Sequence, residues 1–326
     1  VTSANRPRFL STDVWFNYFA AAQAQIPPLE VNLYSLKSAV YLEIEEHRGR
    51  PLLVYAVKFT GGGQNFSSLI NIDQGDVDGF TDLVAAVPSE HKAVDVLIHS
   101  PGGSPEATER IVALLRNRFD DVQFIVPHSA FSAATMLALS GNKIILHSSA
   151  TLGPIDPQLN GMPARSIRRG FDKVRDLLQR EGPDALPAYI PLIEKHSLEI
   201  LELCDDSLQL SKDLVSEWLG EYMFAGRNAE ETISRAVEFF SSYDTHKTHS
   251  RPLMFGKLKN LGLEISIAES PLSELMREAY ILMNAFFTHT IFVKIFENAH
   301  GLSWGRQVHP QQQPQQPSPE TVTAGE

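Results

Sequence analysis

Two short stretches of this chain carry residue types that perform acyl transfer. The first, Leu97-Ile-His-Ser-Pro-Gly-Gly103, ends in paired glycines. Their N–H groups, close to a helix start, can face developing negative charge, and the missing side chains let a ligand approach closely. The second stretch places Ser132 at the head of Ser-Ala-Ala-Thr-Met-Leu-Ala-Leu. A hydroxyl at a strand-to-helix turn is exposed, and the next amide, Ala133 N–H, is an unpaired first-turn donor. Ser132 is thus a candidate nucleophile, and Gly102 or Gly103 with Ala133 a candidate oxyanion hole. Each half also has a plain structural reading, because Pro-Gly-Gly makes a tight turn and serine is a preferred N-cap. The G-x-S-x-G elbow is absent, and neither GxGxxG nor GxxxxGK[ST] occurs at the Pro-Gly-Gly turn.

Positioning these groups takes a sheet covered on both faces. Val94 to His99 and Val122 to Val126 read as short, continuously apolar strands, and Lys143 to His147 as a third. Pro105 to Arg118 and Ser132 to Ser140 read as the helices between them, the pattern of an α/β fold. Upstream, Leu52 to Phe59 reads as a strand and Asp76 to Val87 as a helix. Phe16 to Gln25 and Leu33 to Glu46 read as helices, so residues 1–50 form an N-terminal helical segment and residues 51–267 an α/β core. That core holds a helical insert between Phe171 and Phe240, and Gly262 breaks a helix before a strand from Leu263 to Ile267. Pro271 to Ala299 reads as one long helix, giving residues 268–306 a packing or oligomerisation role. Residues 307–326 form a Gln/Pro-rich tail expected to be disordered.

Composition excludes several classes. The 326 residues are 43% hydrophobic and 21% charged, a globular balance, and the formal charge of -11 argues against a general nucleic-acid binder. The densest basic cluster, Arg165, Arg168, Arg169, Lys173 and Arg175, is interleaved with Asp172 and Asp176. It reads as a solvated helix face or subunit contact before an anion site. One cysteine, Cys204, excludes an intrachain disulfide and suits a reducing compartment. It lies among leucines as a buried thiol. The opening residues lack a secretory h-region, and Tyr280 to Phe296 contains Asn284, His289 and Lys294, too many polar groups for a continuous apolar span. A cytoplasmic protein without membrane association is expected. No histidine spacing defines a metal site, and neither metal nor cofactor is expected.

From about Asp95 to Gln158 the chain resembles the Clp protease/crotonase superfamily. It resembles more closely the serine dehydrogenase proteinase family, which is related to signal peptide peptidase A. LIHSPGG at 97–103, HSAFSAATMLALSGNKIIL at 128–146 and LGPIDPQ at 152–158 carry the likeness. It continues more weakly through PLIEKHSLEI at 191–200, LVSEWLGEYMF at 214–224 and HSRPLMFGKLKNLGL at 249–263. The resemblance implies an α/β, crotonase-like (Clp protease-like) fold of repeated ββα units with additional helices, usually assembled as oligomers. It also implies Ser132 as nucleophile, with Gly102 or Gly103 and Ala133 as oxyanion donors.

The general base is less clear in the pattern. Clp-type proteases place a histidine after the next strand, followed by an aspartate. Here Ala150-Thr-Leu-Gly-Pro-Ile-Asp156 has no such histidine, and Asp156 stands beside the gap. Signal peptide peptidase A instead uses a lysine, which must be desolvated to lose its proton near neutrality. Lys195 in IEKHS is the best lysine candidate; His196 and His249 are candidates too. The bland readings are a surface charge for Lys195, surface or capping histidines, and an aspartate that fixes a turn before Pro157. The expected function is a serine peptidase or related amide hydrolase acting on peptide or protein substrates, as a homo-oligomer. The alternatives are a crotonase-like acyl-CoA enzyme, which needs the oxyanion hole without Ser132, and a non-catalytic oligomeric scaffold.

Overall fold

The computed structural model describes residues 6–60, 67–159, 161–194, 197 and 199–308. Two helices open the chain, α1 (Thr12–Gln23) and α2 (Leu33–Arg48). Asn32 caps α2 by accepting from Ser35 N–H, and Gly49 ends it in the left-handed conformation that a side chain resists. Next come β1 (Leu52–Val57), the short α3 (Ser67–Ile70), α4 (Asp76–Ala85), β2 (Ala93–His99), α5 (Pro105–Arg118) and β3 (Asp121–Val126). Ser104 starts α5 by accepting from Ala107 N–H, with Pro105 in the first turn. The chain continues through β4 (Ser129–Ala130), α6 (Ala133–Leu139), β5 (Lys143–Leu146) and β6 (Thr151–Leu152).

The helical insert follows a small hairpin of β7 (Gln158–Leu159) and β8 (Met162–Pro163). It comprises α7 (Ala164–Glu181), α8 (Leu186–Ile193), α9 (Glu199–Trp218), α10 (Glu230–Ser241) and α11 (Tyr243–His246). Cys204 is buried on α9, as its leucine neighbours predict. After β9 (Leu253–Met254), α12 (Phe255–Leu258) and β10 (Ile265–Ile267), α13 (Leu272–His289) leads into β11 (Phe292–Asn298) and β12 (Ser303–Gln307).

The main sheet has seven strands in the order β10-β5-β3-β2-β1-β11-β12. The pairings from β10 to β1 are parallel, and those joining β1 to β11 and β11 to β12 are antiparallel. Side-chain alternation explains why β1 is apolar throughout. Leu53, Tyr55 and Val57 face a core with α4 and α5, whereas Leu52, Val54 and Ala56 face α2 and α13. The result is an α/β fold with mixed sheets, consistent with a member of the ClpP/crotonase-like superfamily. A strand of the main sheet, a short strand outside it and a helix follow one another in β3-β4-α6.

The long helix expected from Pro271 to Ala299 is corrected by the structure. Helix α13 stops at His289, and Phe292–Asn298 becomes a strand. Both readings bury the same apolar run, which periodicity alone cannot separate. The strand wins because it inserts between β1 and β12 and buries both faces. Val293 and Ile295 go one way and Phe296 the other, each side chain worth about 1.5–3 kcal/mol when fully buried. Residues 268–306 are therefore a helix plus most of a sheet hairpin. The tail expected from Gln307 starts later, because Gln307 ends β12; residues 309–326 lie outside the described residues.

His99 closes β2 immediately before the glycine turn and is fully buried. Its Nδ1 donates to Ser129 O at 3.2 Å. Burial pushes its imidazole down from the ordinary 6.5 to about 3, with His128 adding to the effect against the Ser129 hydrogen bond. The folded chain thus keeps His99 neutral where the unfolded chain binds a proton. Stability from this group is full above about pH 6.5 and is lost toward pH 3, at about 1.4 kcal/mol per pH unit. Urea unfolding at pH 7.5 and 5 should therefore show a loss of about 2 kcal/mol traceable to His99. In His99→Gln the pH slope over that interval should shrink by the equivalent of one proton.

Candidate active site

A second, three-stranded sheet gathers the chemistry. Its order is β4-β6-β9, with β4 and β6 parallel and β6 and β9 antiparallel. Ser132 lies two residues beyond the end of β4, and Asp156 four residues beyond β6. Because β9 runs the other way, residues before it sit at that same end. Leu152 pairs with Leu253, and four residues on along one strand and four back along the other bring Asp156 opposite His249. A bridge between Ser100 and Ala130 fastens the end of β2 to β4, so Pro101 to Gly103 emerge there too. Four segments distant in sequence thereby meet at one edge.

Ser132 occupies a strained turn. Its φ is 53° and ψ is -125°, one of two non-glycine residues at positive φ among the described residues. Such a conformation costs about 1–3 kcal/mol and survives only where its surroundings enforce it. Ala134 N–H donates to Phe131 O at 2.9 Å across the turn, and Thr135 Oγ1 donates to Ala130 O at 2.7 Å. Although Ser132 stands at the N-cap of α6, its hydroxyl makes no capping hydrogen bond. The strain therefore buys no cap; it projects the hydroxyl.

The glycine turn packs directly on Ser132. A methyl group placed on Gly102 Cα would stand 2.4 Å from Phe131 O and 2.8 Å from both Ala133 N and Ser132 Cβ. Gly102 also holds φ at 96°, which other residues rarely adopt. Its N–H donates to Ser100 Oγ at 3.2 Å, and its carbonyl accepts from Ile72 N–H at 2.8 Å. The N–H groups of Gly103 and Ala133 have no hydrogen-bond partner among the described residues. Gly102→Ala is expected to lose about 1–3 kcal/mol of stability from backbone conformation. With the neighbouring amides read as oxyanion donors, as the sequence suggests, displacing them is expected to lower turnover by about 10²–10³-fold. Thermal unfolding and steady-state hydrolysis check the two effects separately.

His249 and Asp156 form the polar partner to this turn. His249 Nδ1 donates to Asp156 Oδ1 at 3.0 Å, and Asp156 is buried, 2% exposed. The second carboxylate oxygen is buried with no partner among the described residues, so His249 is the carboxylate's hydrogen-bond partner there. The other ring nitrogen, Nε2, is free of protein partners there. Ser132, Gly103 and His249 line one cleft of about 710 Å³, whose walls include Met136, Leu210 and Ser211. Ser132 and His249 share this cleft without a hydrogen bond between them. Of the other candidate bases, Lys195 and His196 lie outside the described residues. His249 was visible in the sequence as a histidine, but its partner was not, since 93 positions separate it from Asp156.

The basic cluster resolves into ion pairs rather than an open anion site. Arg165 and Arg169 bind Asp244, Arg168 binds Asp205, and Arg175 binds Asp172 and Asp176. Among the described residues no helix is long and apolar enough to cross a membrane.

Comparison with known proteins bears on the same segments. A family model described as ClpP-like SDH-type serine proteinase matches residues 70–290, which include Gly102, Gly103, Ser132, Asp156 and His249. Two uncharacterized proteins of Methanocaldococcus jannaschii are similar. One is 32% identical over 177 residues, covering 54% of this chain and 53% of its relative. The other is 27% identical over 203 residues, covering 62% and 61%. The chain thus spans between half and two thirds of the length of these curated relatives. With the match covering most of the sequence and all of the gathered segments, the chain belongs to the ClpP-like, SDH-type serine proteinase family.

Proposed function

We propose that this chain is a serine peptidase in which Ser132 is the nucleophile, His249 the general base and Asp156 the residue that orients it. The observation carrying this reading is the convergence of Ser132, the Gly102–Gly103 turn and the His249–Asp156 pair at one edge of the small sheet. Asp156 accepts from Nδ1, which fixes the tautomer that leaves Nε2 as the acceptor facing the nucleophile. His249 removes the Ser132 proton as Oγ bonds to the substrate carbonyl carbon. The carbonyl oxygen becomes an oxyanion held by the Gly103 and Ala133 N–H groups. When the C–N bond breaks, His249 gives its proton to the departing amine, and water, activated in the same way, releases the acid and restores Ser132. The Ser132–His249 gap is of the kind that closes as substrate binds.

The cleft favours a peptide over an acyl-CoA. Its walls include Asp73 and Glu106 and no lysine or arginine among the described residues, a poor setting for a nucleotide phosphate. Met136, Ile155, Leu159 and Leu210 supply apolar wall for a substrate side chain. The test is to incubate the native chain with an unfolded polypeptide and, separately, with acyl-CoA thioesters, and to count new α-amino and thiol groups. Peptide cleavage without thioester turnover is expected. Thioester turnover that survives in Ser132→Ala would put the crotonase-like alternative in its place.

A further inference from the structure

Behind the glycine turn lies a buried charge that the proposed hydrolysis does not use directly. Lys294 on β11 and Asp76 at the start of α4 form an ion pair at 2.7 Å, with both side chains fully buried. Desolvating two charges is costly, and a packed apolar pair is often at least as stabilising. The pair is connected to the oxyanion turn through the backbone, and Tyr55 braces it from the side. Lys294 Nζ donates to the backbone carbonyl of Asn71 at 2.7 Å, and Ile72 N–H, on the same peptide unit, donates to Gly102 O at 2.8 Å. The Gly102–Gly103 peptide carries the Gly103 N–H on its opposite side. Both peptide units are trans, so carbonyl and N–H point in opposite directions in each. An ammonium, two aligned peptide dipoles and the Gly103 N–H thus stand in series, ending at the cleft that Ser132 lines.

Side chains brace the same region. Tyr55 OH donates to Asp76 Oδ2 at 2.8 Å, and the Ser100 hydroxyl beside it accepts from Gly102 N–H at 3.2 Å. Burial and the Asp76 charge hold the Tyr55 hydroxyl well above its ordinary value, so it remains a donor. Ile72 O closes the frame by accepting from Ser104 N–H at 2.8 Å, so the backbone is pinned on both sides of Gly103.

We propose that the buried Lys294–Asp76 pair positions and polarises the Gly103 oxyanion donor through Asn71–Ile72, with Tyr55 holding Asp76 in place. This rests on the reading of Ser132 as nucleophile. A cation at the head of a hydrogen-bonded chain strengthens each link in turn, and the gain is felt most when negative charge develops at the far end. Lys294 and Asp76 are positioning residues, not catalytic ones; neither lines the cleft.

The test uses Lys294→Met/Asp76→Asn, which removes both charges together, with Tyr55→Phe as the milder second variant. For the double variant kcat should fall by about 10–100-fold, short of the 10²–10³-fold for a deleted donor. KM should move by less than about twofold, because the interaction grows in the transition state. Affinity for a peptide boronate, which forms a tetrahedral adduct at the serine, should fall in parallel with kcat, while affinity for a product peptide should hold. Tyr55→Phe should show the same pattern at roughly threefold to tenfold, and it decides the matter if the double variant does not fold. A folded double variant, or a folded Tyr55→Phe where that one decides, with native kcat and boronate affinity overturns the proposal. So does a loss shared equally by KM and product binding. Fluorophosphonate labelling of the native chain separates the two levels: an unlabelled Ser132 sinks the underlying reading, whereas a labelled Ser132 with an indifferent Lys294–Asp76 pair sinks only this one.

Discussion

Ser132→Ala is expected to lower kcat for peptide hydrolysis by about 10⁶-fold, or roughly 8 kcal/mol of transition-state stabilisation. The size follows from what the hydroxyl alone supplies. Without Oγ no acyl-enzyme forms, and what remains is the oxyanion hole acting on a water attack, a residual of about 10³–10⁴ over the uncatalysed rate. Substrate affinity should change little, because the cleft walls are untouched. Folding should be preserved too. The φ of 53° at this position is enforced by the Ala134–Phe131 and Thr135–Ala130 hydrogen bonds, none of which involves the Ser132 side chain. Active-site-directed labelling, circular dichroism and steady-state kinetics on the same preparation check these points together. A drop smaller than about tenfold places the nucleophile elsewhere.

The second large effect is expected at the base. His249→Ala should cost nearly as much as Ser132→Ala, and the double variant should be no worse than either single one, because the two act as a unit. Asp156→Asn should cost about 10⁴-fold in kcat with little structural change. An asparagine amide can donate to Nδ1, which moves the ring proton to Nε2 and leaves His249 unable to accept from Ser132. Additive losses from Ser132 and His249 would show that the histidine serves another function. A full-activity His249→Ala would return attention to Lys195 and His196.

Much of this site was legible in the residues. The turn glycines, Ser132 and Ala133 stand out because strand-turn-helix chemistry leaves local signatures: a Pro-Gly-Gly at a strand end, a small-residue helix start, a short apolar run before each. The strands from Ala93 to Leu146 and the helix Pro105–Arg118 follow from continuous apolar runs and a serine cap. The His249–Asp156 contact left no such trace. It depends on β6 and β9, each two residues long, too short for any period to register, and their pairing spans a helical insert. The same limit hid β11. Phe292–Asn298 is buried on both faces, and an apolar run without alternation reads equally well as the end of a buried helix. Lys294 within that run looked like a reason against a membrane span; only the fold reveals Asp76 as its partner.

The most direct measurement is to react the native chain with a fluorophosphonate and map the adduct by mass spectrometry, with His249→Ala in parallel. A single adduct on Ser132, formed far more slowly in His249→Ala, is the predicted result. An adduct at another residue, or Ser132 labelling at the native rate without His249, would contradict the Ser132–His249–Asp156 assignment.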